Sequence, residues 1–162
     1  MIPELGVFLD VDDLEDLGNL ESYVERSENV LICTTKGYFQ SKNCMRELVS
    51  AVEKGKQLIA VMEPDASRGG LTLDEVRAEL VDAADSSFAR WDFDEGAPSG
   101  EALFDALTLG AGQQASSDRR DSMAIEWNRI GVFQEVSLRL IAERLLPLTR
   151  GKRRWRRSSV EN

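Results

Sequence analysis

The sequence predicts an α/β fold, a parallel sheet of about four strands in three layers with helices on both faces. Three observations predict it. Short apolar runs alternate with longer segments of helical periodicity along most of the 162 residues. The short runs are apolar at successive positions, as in strands buried on both faces of a parallel sheet. Helix start and stop signals bracket the segments between them. A chain of this length suits one domain with a hydrophobic core.

Residues 6–10, "GVFLD", read as a buried strand that ends in the acids Asp10, Asp12 and Asp13. Residues 17–27 show helical spacing through Leu17, Leu20 and Val24. Residues 29–35, "NVLICTT", are a second buried strand, rich in β-branched side chains. Residues 41–54 form a helix with Ser41 as its N-cap, Gly55 after its end, and Cys44, Leu48, Val49 and Val52 as its apolar stripe. Residues 56–62 are the third strand. Thr72 and Glu75 then open the next helix with a Thr-x-x-Glu capping box.

Residues 87–93, "SFARWDF", are expected to be a fourth, weaker strand, followed by a short helix over 101–107. Residues 110–122 have the composition of a flexible linker. A long helix is expected over 123–146, with Ile130, Phe133, Val136, Leu140 and Ile141 on one face and Pro147 stopping it. Domain organisation follows: residues 1–148 as one domain and 149–162 as a basic, disordered tail.

Composition narrows the chemistry. With no histidine, Ser-His and Cys-His nucleophile pairs are excluded, so catalysis would rest on carboxylates, Lys/Arg, hydroxyls or backbone amides. The net charge is −9, but residues 150–162 hold six Arg/Lys against one Glu, leaving −14 on residues 1–149. A body this acidic repels nucleic acid, whereas the tail suits an anionic surface. Cys33 and Cys44 read as reduced core thiols in a cytoplasmic protein without cofactor or metal.

The order Phe8-x-Asp10, an acidic loop, a helix closing on Ser27, an apolar strand, then Tyr38-x-x-Ser41-x-x-Cys44-x-x-Glu47-Leu48 resembles the Toll/interleukin-receptor (TIR) domain family. The likeness covers about residues 5–65 and starts at what corresponds to the family's second strand, so the first strand is expected to be missing. It implies a flavodoxin-like fold and a signalling module that associates with itself or with other TIR-type domains. In enzymatic members the glutamate at the position of Glu47 cleaves the nicotinamide–ribose bond, which makes NAD the implied substrate. Tyr38 and Asn43 would border it, Asn43 standing where the family commonly has tryptophan. The acidic loop at Asp10, Asp12, Asp13 and Leu14 would make partner contacts. An alternative reading keeps the module as a non-enzymatic scaffold. Another takes Asp10 and Asp12 as the Asp-x-Asp strand end of a metal-dependent haloacid-dehalogenase-type phosphatase, with Lys56 and Asp92/Asp94 as poor candidates for its remaining groups.

Overall fold

A computed structural model describes residues 17–109 and 124–146. After a 3-10 turn at Leu17–Asn19, the elements are α1 (Leu20–Arg26), β1 (Asn29–Thr34), α2 (Lys42–Glu53), β2 (Gln57–Met62), α3 (Leu73–Ser86), α4 (Gly100–Leu109), β3 (Ile125–Glu126) and α5 (Gly131–Leu145). The described strands form a parallel sheet in the order β1-β2-β3. The fold is therefore α/β, with three strands among the described residues. The candidate strand at 6–10 lies outside the described residues, as do the linker and the basic tail. Among the described residues, no helix is long and apolar enough to cross a membrane.

The β2 strand explains the layering. Successive side chains of a strand point to opposite faces. Leu58, Ala60 and Met62 enter one core cluster together with Val24, Leu48, Leu80 and Leu103 of α1 to α4. Ile59 and Val61 enter a second cluster with Ile125, against Trp127 and the α5 residues Ile141 and Leu145. Four helices thus cover one face and α5 covers the other. On β1 the described residues leave the second face uncovered: Leu31 pairs with Ile59 and Cys33 with Val61, yet Leu31 is 41 % exposed and Cys33 is exposed. Cys33 is therefore not the core thiol its apolar neighbours suggested.

Two further expectations are corrected. Residues 87–93 do not form a strand. The chain leaves α3 through a 3-10 turn at Ala89–Trp91, and Asp92 adopts a left-handed conformation. The aromatics of this stretch pack on one another instead, Phe88 and Phe93 stacked at 4.5 Å between ring centroids, with Phe88 in the large cluster. Nor is 123–146 one helix. Ile125–Glu126 pair with Val61–Met62, and the helix starts only at Gly131. Most of its expected apolar stripe also faces outward: Ile130, Phe133, Val136 and Leu140 are exposed, while of that stripe Ile141 turns inward, beside Ser137 and Leu145. Hydrogen bonds decide that orientation. Ser137 Oγ donates to the Glu126 carbonyl at 2.7 Å and accepts the Asn128 N–H at 3.0 Å, which fastens this side of α5 to β3.

Candidate functional site

In parallel α/β sheets, ligands bind beyond the C-terminal ends of the strands. At that edge β1 ends in buried Thr34, whose hydroxyl donates to the Val61 carbonyl at 3.3 Å. The loop that follows is tied to its neighbour by the Lys36 N–H on the Gly69 carbonyl, 2.7 Å. Gly37 turns the chain at φ +91°, a conformation that favours glycine. A 3-10 turn at Tyr38–Gln40 then delivers Ser41 as the N-cap of α2, its side chain accepting the Cys44 N–H. Beyond α2, Gly55 takes φ +61° as expected of the residue after a helix end.

Tyr38, Asn43 and Glu47 are all half-buried. The Tyr38 hydroxyl donates to the Cys44 carbonyl at 3.4 Å, and its ring meets buried Phe39 edge-on, centroids 5.2 Å apart. This fixes the loop to the first turn of α2. Asn43 and Glu47 stand one helical turn apart, so they share a flank of α2. The β1–α2 connection therefore carries the three residues within ten positions of one another, on the loop after the C-terminal end of β1 and the first turns of α2. Asp10, Asp12, Asp13 and Leu14 lie outside the described residues.

Two cavities adjoin this region, and neither is lined by Tyr38, Asn43 or Glu47. One, of about 350 Å³, lies against Lys42, Arg46 and Ser50 of α2, facing Trp91 and Phe93. Arg46 is locked there by a two-pronged pair with Glu21, 2.7 and 2.8 Å, which holds the Glu21 carboxyl below its ordinary pKa. The Ser50 hydroxyl is buried and has no hydrogen-bond partner among the described residues. Asp92, one of the phosphatase candidates, faces Lys42 at 3.9 Å, with the carboxylate almost fully exposed. The other cavity, of about 400 Å³, is lined by Phe39, Gln40, Glu79, Arg90 and Trp91. One Glu79 carboxylate oxygen is buried without a partner among the described residues, and desolvation raises that group's pKa.

Glu63 is a further group that sequence reasoning missed. It follows the last residue of β2 and is 6 % exposed, bound through one carboxylate oxygen to the Arg129 guanidinium and through the other to the Asp65 N–H at 3.1 Å. The Arg129 hydrogen bond holds its pKa low. This pair ties the end of β2 to the segment after β3. Gly70 packs beneath it: a Cβ there would lie 2.4 Å from the Glu63 carbonyl oxygen. A signal existed for Glu79, which is spaced three residues after Val76 and four before Ala83, both buried. None marked Glu63, whose partner lies 66 residues away. Lys56, the other phosphatase candidate, stands before β2 at the opposite edge of the sheet and donates to the Glu25 carbonyl at 2.6 Å.

Compared with protein-family models, with curated proteins and with solved structures, the chain matches none.

Proposed function

We propose that this chain is a TIR-type signalling module whose copies associate, and that Glu47 is the carboxylate of an NAD-cleaving site on it. The observation that supports the reading is the β1–α2 connection, which runs from the C-terminal end of β1 through a loop held at both ends by hydrogen bonds to half-buried Tyr38, Asn43 and Glu47. Parallel α/β sheets bind ligands beyond that end of their strands, and a rigid loop there suits a fixed site.

The chemistry asks little of the protein. The bond between the ribose carbon and the nicotinamide nitrogen breaks, nicotinamide leaves neutral with the electron pair, and positive charge develops on the ribose. Water then adds to that carbon and loses a proton. Glu47, fixed on α2, stabilises the cation electrostatically and accepts a hydrogen bond from a ribose hydroxyl. Asn43 offers an amide to the same ligand, and the Tyr38 ring borders it. No histidine is needed at any step.

The test is nicotinamide release from NAD by the purified chain, beside Glu47→Gln and Asn43→Ala variants of matched circular dichroism. Glu47→Gln should lose at least about a hundredfold in rate, and Asn43→Ala should raise KM more than it lowers kcat. Turnover unchanged in Glu47→Gln, or absent from the wild-type chain, would overturn the catalytic half of the reading.

A further inference from the structure

The second face of the sheet carries an apolar surface that the described residues leave uncovered. Along α5, Val132, Phe133, Val136 and Leu140 are 75, 56, 51 and 42 % exposed, and Ile130 just before the helix is 69 % exposed. At 3.6 residues per turn the four helical positions fall within about 100° of one another, so they form one stripe, turned away from the Ser137–Ile141 side that docks on the sheet. Together these five residues leave on the order of 550 Å² accessible, near the top of what a monomer's largest apolar patch shows.

We infer that this stripe is where two copies of the chain associate, with their α5 helices antiparallel across a two-fold axis at Val136. Two observations favour a second copy as the occupant. Two such stripes expose roughly 1,100 Å² between them, enough when packed together to reach the ~1,000 Å² scale of a specific interface. The stripe is symmetric about its middle, Val132 standing four residues before Val136 and Leu140 four after, so antiparallel pairing sets Val132 against Leu140 as a closed two-fold contact requires.

The inference rests on the association half of the proposed function and adds where and how the copies meet. The test is sedimentation equilibrium of the full chain over a wide concentration range, beside Val136→Glu and Phe133→Lys. Both positions are exposed, so circular dichroism should match the wild type. Each variant should weaken self-association at least about a hundredfold, because a charge would be buried at the contact. In a Cys33→Ser background, Val136→Cys should cross-link to itself on mild oxidation, while Leu140→Cys should not. Association undiminished in both charged variants would overturn the α5 contact and leave the function reading standing. A wild-type chain that stays monomeric throughout would overturn both, and the NAD assay would then stand alone.

Discussion

Gly100→Ala tests how closely α3 and α4 approach, and thereby the core behind the candidate site. Gly100 opens α4 and is buried against α3. A Cβ added there would lie 2.5 Å from Val81 Cα, 2.6 Å from the Leu80 carbonyl oxygen and 2.7 Å from Val81 N. All three are backbone atoms of a regular helix, so no side chain can swing away. Reaching an ordinary contact of about 3.5–4.0 Å means moving the helices apart by roughly 1 Å, which lifts Leu103 and Leu107 from the core they fill. Overpacking of this kind costs about 1–3 kcal/mol, and the rigid neighbours place this case in the upper half. Removing a glycine from the unfolded chain returns about 0.4–1 kcal/mol. The net is a loss of about 2 kcal/mol, or a Tm lower by about 4–8 °C for a chain of this size. The assay is thermal and urea unfolding followed by circular dichroism. Gly96→Ala is the control, since nothing lies within 4 Å of a Cβ there; it should be neutral or slightly stabilising. A Gly100→Ala protein as stable as the Gly96→Ala control would refute the close α3–α4 packing.

Further outcomes follow from caps and charges. Thr72→Ala removes the hydroxyl that accepts the Glu75 N–H, leaving only the Thr72 N–H on the Glu75 carboxylate, and should cost about 1 kcal/mol in urea unfolding. The Glu63 carboxyl is held low by Arg129, so its contribution is present above the unfolded-state value and is lost as pH falls through the lower folded value. Arg129→Met removes that partner and should move the acid-unfolding midpoint to higher pH. Glu79 has the opposite sign: desolvation raises its pKa, so its ionisation destabilises the fold as pH rises past the unfolded value. Glu79→Gln should therefore stabilise the protein near neutral pH and change little in acid, as read by urea midpoints at the two pH values.

The parts of the fold legible in the sequence are those set by local chemistry. Ser41 and its helix, the Thr72–Glu75 box, Gly55 and the strands around residues 29–35 and 56–62 each carry their signal within a few residues, and each stands where the pattern places it. What was not legible depends on distant partners. "SFARWDF" alternates well enough for a strand, but its aromatics find one another and the core before any edge to pair with. Ile125 and Glu126 become strand because β2 offers its edge, which overrides helical periodicity. The stripe on α5 is apolar and helical, as its spacing indicates, yet Ser137 hydrogen bonds rather than apolar area decide which side docks. The candidate site divides in the same way. Tyr38, Asn43 and Glu47 fall within ten residues and are grouped by the family resemblance, whereas the Glu63–Arg129 pair is formed by the fold.

The most direct test of the account is where NAD touches the protein, read from backbone amide chemical shifts of the labelled chain during an NAD titration. The account predicts saturable shifts concentrated at residues 37–47, in the loop and first turns of α2, that weaken in Asn43→Ala. Shifts confined to Trp91–Ala97, beside the α2 cavity, or no shifts at saturating NAD, would contradict a nucleotide site at Glu47.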